Sequence, residues 1–232
     1  MQRVIQEVFW RVYWKGWLEQ RPEAWSRWVE AVPRLRDALS AEQRSTLEAA
    51  LAGRTGIAGF DDWAHELVAT GYLHNHARMW FASIWIFTLR LPWELGAAFF
   101  YEHLLDGDVA SNTLSWRWVA GLQTPGKTYV ARADNIAHYT DGVHAPEAGR
   151  LASAPFAIKE DPLPKVAAWT EDAAQVATLK TYERLGLWVH PEDLAVEQGE
   201  LAGLKIQGVN ASWLTGISAR AGWSETAVRR MR

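Results

Sequence analysis

The sequence contains no cysteine, which excludes disulfides, thiolate catalysis and cysteine-ligated metal clusters together. It also has no long apolar run. Its most apolar stretch, MWFASIWIFTL (79–89), is too short to span a bilayer and reads as a buried helix. The opening residues MQRVIQEVFW mix both charge signs into the apolar stretch, unlike a signal peptide. A cytoplasmic protein is therefore expected. Excess positive charge is missing too. A formal net charge of −3 rules out general attraction to polyanions, so nucleic-acid binding requires a local basic face.

Tryptophan is what the chain has in abundance. Fifteen of its 232 residues are Trp, spread along nearly the whole length. Indole supplies a large buried area, a π-face and one N–H donor, and it gives up an electron more readily than other side chains. With 49% apolar and 22% charged residues, the chain is otherwise an ordinary globule with enough length for a real core.

The first 145 residues read as helices joined by short turns. Trp10, Trp14 and Trp17 fall at i, i+4, i+7 on a helix covering 3–20. Pro22 starts a second segment. Ser40 and Gln43 form a capping box, and Gly53 ends that helix. Asp61 or Asp62 caps the next helix and Gly71 closes it. Residues 75–90 form the most apolar helix, and Pro92 separates it from WELGAAFFYEHLL. Beyond residue 145, HAPEAGRLASAPFAIKEDPLPK reads as a linker. A helix from Thr170 to Arg184, capped by Gly186, and short extended pieces at GLWVHPEDL and GLKIQGVNASWL follow.

Several chemistries are disfavoured by the motifs. GRTGIAG (53–59) lacks the Lys-Ser/Thr ending of a phosphate loop. His74, His76 and His103 match no metal-ligand spacing, so no metal is expected. No GxSxG elbow is present. HLLDGDVASNTLSWRW (103–118) is harder to set aside. Asp106 and Asp108 straddle a glycine at the end of an apolar helix, where burial costs several kcal/mol unless the carboxylates are paired. Arg78 is the expected partner. Asn75 and Arg78 share a helix face, and Arg, Asn and two Asp on one buried face suit a heterocycle with donors and acceptors along one edge.

GRTGIAGFDDWAHELVATGYLHNHARM and WELGAAFFYEHLLDGDVASNTLSWRW resemble the C-terminal flavin-binding domain of the DNA photolyase and cryptochrome family. IQEVFWRVYWKGW resembles the same family's E-x-x-W-R-x-x-Y/F helix, and the likeness covers about residues 3–142. It implies a mainly α fold, FAD as cofactor and a less regular extension after residue 144. The resemblance gives Arg11, Asn75, Arg78, Asp106, Asp108 and Asn112 to the cofactor, with Asn112 facing flavin N5 as in photolyases. It gives Trp116 and Trp93 to the electron-transfer chain. Glu7, Trp10, Asn75, His76, Met79, Trp118 and Arg132 go to a damaged-DNA substrate with a flipped pyrimidine dimer. The family's distal tryptophan falls near Ala50, which ends the relay early or routes it through Trp80 or Trp85. The family's antenna domain and its Thr-Ser-x-Leu-Ser phosphate grip are expected to be missing, so another chain is a possible partner completing the FAD site.

The function expected from this likeness is light-driven splitting of cyclobutane pyrimidine dimers by electron transfer from reduced FAD. The alternatives are a cryptochrome-like blue-light sensor and a Trp-rich remnant that holds no FAD. DNA contacts are expected on a patch near Arg11, Lys15, Arg117, Lys127 and Arg132.

Overall fold

The computed structural model describes residues 2–106, 108–124, 126–147 and 149–166, with side chains from Val8 onward, and the backbone of two strands at 185–189 and 206–211. Its first part is helical, as the Trp spacing and the caps require. α1 (Gln2–Glu19), α2 (Glu23–Asp37), α3 (Ala41–Leu51), α4 (Phe60–Thr70), α5 (Asn75–Ser83), α6 (Trp93–His103), α7 (Trp116–Val119) and α8 (Ala133–Tyr139) follow in order. Two π-helical turns interrupt them, Ile84–Thr88 after α5 and Val109–Leu114 before α7. The expected single helix over 75–90 is thus an α-helix ending in a π-turn, closed at Arg90 in a left-handed conformation (φ 55°).

The local signals act much as their chemistry dictates. Ser40 accepts from the Gln43 amide while the Gln43 side chain accepts from the Ser40 amide, a complete capping box. Gly71 ends α4 in the left-handed region (φ 71°). The aspartate expectation for α4 is corrected. Gly59 occupies the N-cap, and Asp61 and Asp62 sit inside the first turn, where they complement the helix dipole. Asp61 turns back instead to accept from Thr55 and Gly56, closing the glycine-rich loop.

The core lies between α4, α5 and α6. Phe60 stacks on Phe81 at 4.2 Å, and Phe81 meets Phe100 and Trp85. Fully burying each such ring contributes roughly 1.5–3 kcal/mol. Gly96 is where α6 approaches its neighbours most closely. A Cβ there would stand 2.4 Å from Trp116 and 3.0 Å from Trp85, so a larger residue would force the two indoles apart.

The stretch 144–165, expected as a linker, is instead docked on the helices through its described residues. The compact unit that contains the helices extends through Ala167. His144 pairs with Asp62 and Arg150 donates to the Thr55 carbonyl. The Ala152 amide donates to Thr88 Oγ1, and Phe156 sits edge-on to Phe87. Glu160 takes both terminal nitrogens of Arg117. Arg27 donates to the carbonyls of Asp161 and Pro162, and Val166 donates to that of Gln20. The segment is a strap with isolated anchors.

A second unit, Ala168–Trp223, contains the expected extended pieces. β1 (Leu185–Val189) and β2 (Ile206–Ala211) pair in parallel, Leu187 opposite Val209. The helix expected over 170–184 lies outside the described residues, and Gly186, expected as its cap, is part of β1.

Candidate flavin-side cavity

The site is built on the turn that follows α6. The Leu105 amide donates to the Gly71 carbonyl at 3.0 Å, tying that turn to the end of α4. Gly71 permits the approach, since a Cβ there would lie 2.6 Å from the Leu105 side chain. Asp108 then begins the π-helical turn. Its Oδ1 accepts from the amides of Ala110 and Ser111 at 2.9 and 3.0 Å. The carboxylate thereby satisfies donors that a helix start leaves free. A π-turn carries one extra residue per loop, and this one places Asn112, Trp116 and Trp118 around one cavity.

Two arginines organise the carboxylates. Arg11 bridges both, Nη2 to Asp106 at 3.0 Å and Nη1 to Asp108 at 3.1 Å. Arg78 donates to the Leu73 carbonyl (2.8 Å) and to Asn112 Oδ1 (2.7 Å), and the Asn112 amide donates to Asp106. The expected direct Arg78–Asp106 pair is therefore a relay through Asn112, because Arg11 takes the carboxylate itself. Burial pushes the Asp108 carboxyl up, but the Ser111 hydroxyl and amide and the Lys15 and Arg11 charges outweigh it and hold it below the usual range. Burial lowers Arg78, opposed by Asp106. Desolvation works against the Arg11 charge, yet its bonds and its attraction to both aspartates leave it raised.

Beside this network opens a cavity of about 280 Å³. Trp10 and Trp118 stand at its edge, 52% and 39% exposed. Arg11, Asn75, Arg78, Met79, Asn112 and Trp116 also line it. Flat indoles beside an amide and a guanidinium fit a planar heterocycle with a polar edge. Among the described residues Arg78 bonds through Nε and Nη1, with no described partner on Nη2. The residues present thus suit the ring system of FAD, though the volume is near the lower bound for ligand sites, roughly 300 Å³. Trp14, Ala82, Phe100, Ser111 and Ser115 line it too and were not singled out from sequence. Trp14 was legible as the next member of the Trp10 stripe; the small residues carry no signal.

Other expected residues lie elsewhere. Trp93 is buried away from the cavity, under the Arg117 guanidinium at 5.8 Å. His76 packs against Tyr139 and Trp80. Exposed Arg132 pairs with Asp134 on a second groove that includes Tyr129, Asn135 and His138. Glu7 lies on α1, its side chain outside the described residues. The basic patch is corrected at Arg117, which is 3% exposed and held by Glu160, and at Arg11, which serves the two aspartates. Arg11 neutralises the buried Asp108, and Arg117 is itself the buried member of its pair.

The sequence comparisons agree with this arrangement. The family model for the FAD binding domain of DNA photolyase matches residues 4–142. A deoxyribodipyrimidine photo-lyase of Streptomyces griseus is 33% identical over 147 residues, 57% of this chain and 31% of that protein. A protein of the same name from Thermus thermophilus is 34% identical over 131 residues, 54% and 29% of the two chains. Cryptochrome-1 of Arabidopsis thaliana is 39% identical over 83 residues, 36% and 12%. The chain thus spans about a third or less of the length of these relatives. No solved structure gives a significant match. A match over more than half the chain covers α1 to α8 and every residue around the cavity, and by it the chain belongs to the photolyase and cryptochrome family through its FAD-binding domain.

Proposed function

We propose that this chain forms the flavin-side wall of a light-driven DNA repair site that splits cyclobutane pyrimidine dimers. The observation that carries the reading is the cavity itself, with indoles Trp10 and Trp118 at its edge and the Arg78–Asn112–Asp106 relay beside it. FAD, when bound, supplies light absorption and one-electron transfer. Asn112 and Arg78 orient the ring edge, and Asp108 fixes the π-turn that presents Asn112. Trp10, Met79 and Trp118 receive the extruded bases, for which unstacking costs a few kcal/mol. Glu7 hydrogen-bonds a base carbonyl as negative charge develops there.

The outer face of α1 supports a further partner in this reading. Val8, Phe9, Val12 and Tyr13 are 46–68% exposed, and a contiguous group of exposed apolar side chains marks an interaction surface. A polypeptide covering that face would close the α1 side of the cavity and complete the FAD site.

The test is an absorption spectrum of the purified protein, followed by dimer splitting under blue light with reduced flavin. Glu7→Ala lowers the splitting rate by about 100-fold, whereas Trp116→Phe impairs photoreduction of oxidised flavin and leaves splitting by reduced flavin nearly intact. The cryptochrome relative keeps a light-sensor reading in play: flavin that photoreduces without dimer splitting would establish it. A protein with neither flavin nor splitting is the Trp-rich remnant.

DNA contact in this reading falls to exposed basic residues outside the cavity, Lys127 and Arg132 among them. Lys127→Ala reduces the slope of log affinity against log salt by about 1, and Arg132→Ala reduces it by less. The Arg132 change is the smaller of the two, because Asp134 already neutralises that guanidinium. Fluorescence titration against a dimer-containing oligonucleotide at several salt concentrations measures both.

A further inference from the structure

Trp116 lines the cavity, and the tryptophan it touches is not the one the family pattern names. Among the described residues, Trp85 is in ring contact with Trp116, centroids 6.1 Å apart and planes at 88°. Three features hold that contact. Gly96 leaves the room for it, since a Cβ there would meet both rings. Phe81 is close to both indoles, at 6.0 and 6.4 Å. The Trp85 indole N–H donates to the Pro92 carbonyl at 2.9 Å, which fixes the ring and steadies positive charge on it. Trp93, by contrast, lies beneath the buried guanidinium of Arg117. Oxidising Trp93 would set a second positive charge beside that cation, a repulsion that Glu160 only partly offsets.

We propose that Trp85, rather than Trp93, is the residue that passes an electron to Trp116. This rests on flavin binding as proposed above. With oxidised FAD bound and photoexcited, Trp116 would give up one electron to it, and Trp85 would then give one electron to Trp116. Trp116 is restored, the flavin is reduced by one electron, and Trp85 carries the positive charge against the Pro92 carbonyl. No Trp85 proton need be lost. Trp85 is fully buried, so reductants in solution do not reach it directly, and the deficit persists until an electron returns from the flavin or arrives through the protein. Ala50, where the family's distal tryptophan would stand, is also fully buried and offers no exit.

Two measurements on wild type, Trp85→Phe, Trp93→Phe and Gly96→Ala test this. Near-UV circular dichroism of the flavin-free protein reads the indole pair: the coupled signal is lost in Trp85→Phe, altered in Gly96→Ala and kept in Trp93→Phe. Transient absorption of the flavin-loaded protein then follows the oxidised-tryptophan signal. Trp85→Phe shortens its lifetime by about tenfold or more, Gly96→Ala shortens it less, and Trp93→Phe leaves it within about twofold of wild type. A lifetime that collapses in Trp93→Phe and survives in Trp85→Phe overturns the proposal while leaving flavin binding and repair intact. A protein that takes up no flavin overturns both readings together, and dimer splitting with an unchanged Trp85→Phe lifetime overturns this one alone.

Discussion

Glu160→Ala lowers the stability of the helical unit by about 3 kcal/mol, at the lower end of what breaking a buried ion pair costs. The cause is the residue left behind. Arg117 is 3% exposed, lies between the rings of Trp17 and Trp93, and loses both of its carboxylate bonds. Its Nε also lacks a partner among the described residues, so the loss adds to a guanidinium that is already incompletely bonded. Glu160 retains about a quarter of its side-chain exposure, which keeps the effect from the upper end of the range. The double change Arg117→Met with Glu160→Leu recovers most of the loss, because a well-packed apolar pair needs no compensation. Denaturant unfolding of the four proteins of that cycle measures it. A Glu160→Ala protein as stable as wild type would show that the strap does not hold Arg117 in solution.

Asp108→Ala costs about 2 kcal/mol near neutral pH, by removal of a cap worth about 1 kcal/mol and a charge-assisted bond worth about 1.5 kcal/mol. The second contribution is reduced because Arg11 is nearly half exposed and solvent screens its charge. The pH dependence has a definite sign. The Asp108 carboxyl is held below its usual range in the fold, so the unfolded chain binds its proton first as pH falls. Its stabilisation is fully present above the unfolded value of about 3.9 and disappears as pH drops through the folded value. Wild type and Asp108→Ala therefore differ most at about pH 6–7 and converge in acid. Thermal unfolding from about pH 7 to about pH 3 measures the convergence; a constant gap would mean that Asp108 contributes only its shape.

What was legible in the sequence was local. The Ser40 box, the Gly71 cap and the Trp10–Trp14–Trp17 stripe depend on residues within a turn or two of one another, and all three are found in the fold. Of the residues named by family spacing, Asn112 and Trp116 line the cavity while Asp106 and Asp108 lie in the network beside it, and that spacing did not fix which arginine reaches which carboxylate. Arg11 and Arg78 lie 95 and 28 residues from Asp106 in sequence, and only packing decides between them. The strap was invisible for another reason. Pro, Ala and Gly give it no periodicity, and its anchors Phe156 and Glu160 are single residues whose partners lie tens of positions away. Trp85 was named from sequence only as an alternative to Trp80 in a rerouted relay; its contact with Trp116 depends on the glycine at position 96.

The first helix and the strap are tied to distant parts of the chain: Arg11 to Asp108, Gln20 to Val166, Arg27 to Asp161. Contacts so far apart in sequence form late in folding, because each closes a long loop before it gains anything in return. During synthesis α1 is made before the other helices of this unit yet waits for nearly all of them, and its exposed side chains Val8, Phe9 and Val12 stay uncovered meanwhile. The nucleus must lie instead among α4, α5 and α6, where Phe60, Phe81 and Phe100 meet over short separations. Amide exchange in α1 would then report openings of lower free energy than exchange in α5, and the wall of the cavity that carries Trp10 and Arg11 would be the part that loosens while the flavin-side floor stays formed.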